Sequence, residues 1–249
     1  MIDFTHWPAL LFGALAVLAG ALVQGSTGIG LGMIAGPILL IINPFFVPGP
    51  LLVLAFMLAS LVSAREWRSI DRKGLAIALA GRLPGSLLAG LTMSLIPLPV
   101  YELLFGLLVL GGVLFSLTGW RVLPTMRNLF TAGLASGYMG TLTSIGAPPM
   151  ALAYQHGTPA TIRSTMSAFF VVGSAFSIAV LTSFGRFAAT QVWASLIFVP
   201  PLVAGFWVSH FVVPRMNAKL IRYSVLALSG VSSAVLITKV VLWHFRGGV

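Results

Sequence analysis

Apolar residues run almost unbroken along this chain, and no Asp, Glu, Lys or Arg occurs between Phe4 and Ala64. At about 1.5 Å per helical residue, that run alone could cross a ~30 Å hydrocarbon core up to three times. Turn residues and charges divide the chain into apolar segments near 8–25, 33–42, 48–64, 74–96 and 100–118. The second half gives 128–141, 149–156, 164–183, 190–211 and 219–243. Each half therefore predicts the same order: a helix, a Gly-rich break, a short helix, then three longer spans.

The break in the first half reads Gly25-Ser-Thr-Gly-Ile-Gly-Leu-Gly32, and in the second Thr141-Leu-Thr-Ser-Ile-Gly-Ala-Pro148. With an offset of 116, Thr27 falls on Thr143, Ile29 and Gly30 on Ile145 and Gly146, and Pro84 on Pro200. Agreement at the breaks, at a proline within a span and in the spacing of all segments points to duplication. The expected boundaries are 1–120 and 121–249, two halves of one transmembrane domain. Backbone left unpaired at membrane depth survives only when buried in protein or lining a cavity. Matching breaks in two halves mark a transporter binding site.

Composition agrees with this class. The chain has 249 residues, 58% hydrophobic and 7% charged, with a mean hydropathy of +1.05, where soluble domains carry roughly a quarter of their residues charged. The expected fold is an all-α integral membrane protein. Asp3 and His6 precede the first apolar run without a basic n-region, so that run is expected to be a permanent span.

The net charge of +10 has its place in the loops. Each half has an odd number of crossings whether its break joins two crossing helices or a pair that dips in and returns, so the halves are expected to be inverted. With the N-terminus outside, Arg65, Arg68, Arg72, Lys73, Arg121, Arg127, Arg163, Arg215, Lys219 and Arg222 become cytoplasmic, while Arg186, Lys239 and Arg246 fall outside. A parallel second half would fit worse, because it would put Arg163, Arg215, Lys219 and Arg222 outside. No dense basic run with interleaved aromatics occurs, which excludes nucleic acid as a partner.

The breaks carry the candidate chemistry. Gly28, Gly30 and Gly32 allow the chain to turn and to approach a ligand closely. A short helix beginning near Met33 directs its free N–H groups and positive dipole end toward the break, which favours an anion. Gln24, Ser26 and Thr27 add donors in the first half, and Thr141, Thr143 and Ser144 with Gly146 in the second. Pro148 and Pro149 sit where a missing N–H costs least. Gly13, Gly32, Gly36, Gly81 and Gly85 also suit close packing between helices.

Arg82 lies about nine residues, roughly 13 Å, beyond Lys73, deep inside a span, where an ionisable side chain is a functional candidate by default. Snorkelling to the interface is the competing reading. Pro84 predicts a kink in the same helix, and the repeat counterpart of Arg82 is Phe198.

The four acids are Asp3, Glu66, Asp71 and Glu102, all expected at span ends or in loops, so a buried-carboxylate cation path has no residues to use. Glu66 and Asp71 are expected to offset neighbouring arginines, and Glu102 to sit at its helix start. His6, His156, His210 and His244 do not cluster as a metal site would, and no cofactor motif occurs; His156 is expected at an interface. Trp7, Trp67, Trp120, Trp193 and Trp243 read as interfacial anchors, with Trp207 deeper. The absence of cysteine removes thiolate chemistry, and neither a Gly-x-Ser-x-Gly elbow nor a phosphate-binding Gly-x-x-x-x-Gly-Lys loop is present.

The stretches Ala21-Leu-Val-Gln-Gly-Ser-Thr-Gly-Ile-Gly-Leu-Gly-Met33, followed by Pro37, and Ser136-Gly-Tyr-Met-Gly-Thr-Leu-Thr-Ser-Ile-Gly-Ala-Pro-Pro149 resemble the two Gly-rich motifs of the TauE/SafE sulfite exporter family. Leu31 interrupts the consecutive glycines of the first motif, and Ala147 with Pro148 replaces them in the second. The resemblance implies a bacterial inner-membrane protein that moves sulfite, a sulfonate, sulfoacetate or another small organic anion. The expected function is secondary transport, with Gln24, Ser26, Thr27, Gly28, Gly30, Gly32, Arg82, Thr141, Thr143, Ser144 and Gly146 around the substrate. The partners are then a small anion and the lipid bilayer, and a homodimer stays open. The alternative is an integral membrane enzyme acting on a lipid or isoprenoid, for which clustered acids or histidines are lacking.

Overall fold

The computed structural model describes residues 7–118, 122–155, 157–212 and 218–245. Asp3, His6, Trp120, Arg121, His156, Arg215 and Arg246 lie outside the described residues, as do the side chains of Lys219, Arg222, Lys239, Trp243 and His244. Helix makes up 88% of the structure, with no strand among the described residues, so the fold is all-α. The helices are α1 (Trp7–Thr27), α2 (Leu31–Ile42), α3 (Gly49–Glu66), α4 (Arg72–Leu95), α5 (Leu98–Leu117) and α6 (Met126–Thr143). They continue as α7 (Ala147–Ala153), α8 (Pro159–Ser183), α9 (Ala189–Ser195), α10 (Val199–Val212) and α11 (Ala218–Phe245).

Each apolar segment of the sequence falls on a helix, and 7 stretches are long and apolar enough to cross a membrane: those of α1, α3, α4, α5, α8, α9 with α10, and α11. The ninth segment differs from expectation in being divided by a 3-10 turn at Leu196–Phe198. Pro200 and Pro201 have no N–H to bond back to Leu196 and Ile197, so the α-helical ladder fails there. Pro84 is tolerated inside α4, which runs on through it as one helix. Asp71, Thr125 and Thr158 cap α4, α6 and α8 by accepting the N–H of Gly74, Asn128 and Thr161, satisfying donors that a helix start leaves free.

Helix packing repeats between the halves. α4 lies along α6 as α10 lies along α1, α3 packs on α8, and α5 on α11. The 116-residue offset turns α1 into α6 and α4 into α9 with α10, so it exchanges the first two pairings and leaves the other two unchanged. The α4–α6 contact depends on glycine. A Cβ at Gly81 would strike the carbonyl of Phe130, at Gly85 that of Leu134, at Gly133 that of Ala78 and at Gly137 that of Arg82. The two backbones thus touch directly, as the spacing of Gly81 and Gly85 predicts. On the opposite side of α4, Leu83, Leu87, Leu91 and Leu95 point outward, as residues facing hydrocarbon do, and Trp207 is likewise exposed.

Loops gather at two ends. At one, Arg163 Nε donates to Glu66 at 3.0 Å, Arg65 lies 3.2 Å from the same carboxylate, and the Tyr154 hydroxyl donates to Asp71 at 3.1 Å. Burial first, and then the Asp71 charge and hydrogen bond, raise the Tyr154 phenol above its ordinary range, so it stays a donor. Asp71 therefore caps a helix and binds a tyrosine, where an arginine was the expected partner. Glu102 also departs from expectation: Leu98 and Pro99 start α5 earlier, leaving it one turn inside. At the other end Arg186 donates to the Ser94 carbonyl at 3.4 Å, and Gln191 lies against Gly49.

Replacing Gly133 with Ala should lower thermal stability by about 1–3 kcal/mol, since the new methyl meets the Ala78 carbonyl. Gly111→Ala, whose Cβ meets nothing within 4 Å, should cost no stability. Unfolding midpoints of the two purified variants in one detergent compare them directly.

Candidate functional site

The two breaks share a turn closed by a threonine. Thr27 ends α1 with its hydroxyl 2.7 Å from the Ile29 carbonyl and 3.0 Å from that of Val23, and accepting from the Ile29 N–H at 3.3 Å. Thr143 ends α6 with its hydroxyl on Met139 at 2.7 Å and the Ile145 N–H on it at 3.1 Å. The next residue then takes positive φ in both: Gly28 at 85° and Ser144 at 61°. A left-handed residue is what allows the chain to leave a helix and turn back. Gly30 at φ 147° is tolerable only to glycine, whereas its counterpart Gly146 has φ −97°.

Beyond the turn the two breaks diverge. Gln24 reaches across the first break, and its Oε1 accepts the Leu31 N–H at 3.1 Å, so α2 starts at Leu31, two residues before the sequence suggested. In the second break the Ser144 hydroxyl donates to the Pro48 carbonyl at 3.0 Å, and Pro148 and Pro149 fill the first turn of α7. The breaks meet: Gly32 lies directly on the Ser144 carbonyl.

A cavity opens where they meet, bordered by Gln24, Gly30, Gly32, Arg82, Ser144 and Gly146. Its volume of about 20 Å³ has room for one water, too little for a sulfonate-sized anion. Arg82 enters from α4 and is only 2% exposed, which removes the snorkelling reading. One terminal nitrogen donates to the Ser136 hydroxyl at 3.3 Å and the other to Ser177 at 3.4 Å. Both bonds are longer than the 2.7–2.9 Å usual for a charged donor. Its Nε has no hydrogen-bond partner among the described residues. The guanidinium lies 4.8 Å from the centre of the Phe169 ring and directly on Gly173.

Among the described residues, the ion pairs join Glu66 to Arg65 and Arg163, and none reaches Arg82. A buried cation without a countercharge costs several kcal/mol, which two long hydroxyl bonds and the Phe169 ring offset only in part. The repeat position shows the contrast: Phe198 there is fully buried and packs edge-on against Phe46 at 5.2 Å.

Of the residues singled out in the sequence, the structure brings Gln24, Gly30, Gly32, Arg82, Ser144 and Gly146 around one cavity. Thr141 joins them through Ser177 at 2.8 Å. Four others are placed differently. Ser26 donates to the Leu22 carbonyl, Thr27 and Thr143 close their own helix ends, and Gly28 packs against the backbone of Arg163. The sequence reading missed Ser136 on α6 and Phe169, Gly173, Ser174 and Ser177 on α8. Four-residue spacing puts Phe169, Gly173 and Ser177 on one face of α8, and the small and hydroxyl residues within that span were the available signal.

Removing the hydroxyl in Thr143→Val leaves the Ile145 N–H without its acceptor. That variant should lose about 1–3 kcal/mol of stability, read as an earlier unfolding midpoint, while Thr182→Val, on an exposed hydroxyl, should not.

A comparison with curated proteins returns no match, and neither does one with solved structures. The family model described as sulfite exporter TauE/SafE matches residues 12–236, which contain both breaks and Arg82. Seven apolar helices of spanning length and a family match over nearly the whole chain agree, and the protein is a multi-pass membrane protein belonging to the TauE/SafE sulfite exporter family of transporters.

Proposed function

We propose that this protein is a secondary transporter that carries a small organosulfur or organic anion, such as sulfite, a sulfonate or sulfoacetate, across the bacterial cytoplasmic membrane by alternating access. The observation that carries the reading is Arg82: a guanidinium 2% exposed, without an acidic partner, beside the cavity where two broken helices touch. Arg82 would supply the charge. Ser136, which accepts from Arg82 while donating to the Gly146 carbonyl at 2.5 Å, and Ser177 would hold the guanidinium in place, and the start of α2 at Gly32 and Met33 would add backbone N–H groups.

Inversion of the halves is part of the proposal. Gly28 at the first turn packs on Arg163, near the basic end, while Ser144 at the second turn bonds Pro48, toward the end that holds Arg186. Hairpins pointing from opposite ends toward a shared centre are the arrangement that inverted repeats produce. The basic loops would then face the cytoplasm.

Larger hollows surround this small cavity, among them one of about 310 Å³ that also borders Arg82, between α4 and α8, and two lie toward opposite ends. One of about 280 Å³ lies on the side of Thr27, Gln155 and Ile162 and shares Met33 with the cavity. The other, about 170 Å³, lies beside Pro48, Tyr101 and Arg186. In this reading those two hollows are the entrances, closed by Met33 on one side and by the Ser144–Pro48 bond on the other. Opening either in turn would deliver the anion without exposing both.

Protein reconstituted in liposomes should take up labelled sulfite or a sulfonate, and Arg82→Gln should weaken binding about 30-fold or more. Parental uptake by a folded Arg82→Gln protein would sink the assignment. Gly173→Ala gives an independent reading, because its methyl would displace the guanidinium without removing the charge.

A further inference from the structure

Resting on the anion-site reading above, we infer that the site selects by charge: it binds an anion with a single negative charge more tightly than the dianion of the same shape. The groups facing the Arg82 guanidinium come from three elements. α6 presents Ser136 and Gly140, the second break Gly146, and α8 Phe169, Gly173 and Ser177. None of these side chains ionises, and Thr141 extends the set with another neutral hydroxyl. The charge at the site is that of Arg82 alone.

The neighbouring cations are already engaged elsewhere. Arg65 donates to the Gly25 carbonyl at 2.7 Å and pairs with Glu66, and Arg163 pairs with the same carboxylate. The acids lie outside the interior as well: Glu66 and Asp71 flank the loop between α3 and α4, and Glu102 stands near the start of α5. Among the described residues, no carboxylate pairs with Arg82 and no second cation is bonded to it.

A monoanion therefore brings the buried site to zero net charge. A dianion leaves one negative charge uncompensated in a low-dielectric interior, and the hydroxyl donors offer dipoles but no countercharge. The rule ranks ligands within the proposed class: hydrogensulfite above sulfite, and simple sulfonates above sulfoacetate, which carries two charges.

Methanesulfonate and methylphosphonate test this because they share a shape and differ in ionisation. Both are monoanions at mildly acidic pH, but methylphosphonate becomes a dianion at mildly alkaline pH. Isothermal titration of the purified protein should give the two similar affinities in acid. In alkali, methylphosphonate should weaken at least about tenfold while methanesulfonate stays unchanged. Equal binding of the two in alkali would overturn the charge rule and leave the anion site standing. Failure of both at either pH would instead overturn the anion site itself. Arg82→Lys keeps one positive charge and should keep the preference; a preference that survives Arg82→Gln would show that another group sets it.

Discussion

Two helices that stop in the buried interior of an apolar bundle leave backbone donors and acceptors that must be paired there, and much of this structure answers that constraint. At both ends a threonine hydroxyl, Thr27 or Thr143, accepts the N–H of the isoleucine two residues on. Gln24 holds the start of α2, Ser144 ties the second turn to Pro48, and the prolines of α7 remove N–H groups that would otherwise need partners. The helices then cover what remains. Because Gly32 rests on the Ser144 carbonyl, each break is also part of the other's shelter from lipid.

The direct backbone contact between α4 and α6 serves the same need. Four glycines allow α4 to lie against the helix that leads into the second break, and this brings Arg82 alongside Ser136 and Gly146. Bulkier residues would hold α4 away and leave the guanidinium short of the cavity. Gly173 on α8 completes the seat from the other side, so the position of one cation depends on small residues in three helices.

The halves share a backbone plan but differ in electrostatics. Where one carries Arg82 among hydroxyls, the other carries Phe198 packed on Phe46. The hydrogen-bonding plan that makes the breaks is thus duplicated, while the charge is supplied once. In the transport proposed above, the two copies of the break would hold the ligand and the one arginine would decide its sign.

Local chemistry made the helices, the breaks and the odd residue in the fourth span legible from the order of amino acids alone. Hydropathy and turn residues set the segment ends to within a few positions, and the matched Thr-x-Ile-Gly pattern exposed the repeat. An arginine in an apolar run is visible without coordinates. The sequence could not show which hydroxyls face the cavity, because a threonine at a helix end can bond its own backbone or a ligand. Ser26, Thr27 and Thr143 chose the backbone. Nor could it assign α8 to the site, since Gly173 and Ser177 reach Arg82 only through the packing of helices far apart in the chain. Sequence determined where helix must fail and where a charge is buried, because both depend on neighbouring residues and the solvent; tertiary structure decided which groups meet there, because contact between distant helices depends on which side chains are small enough to let them close.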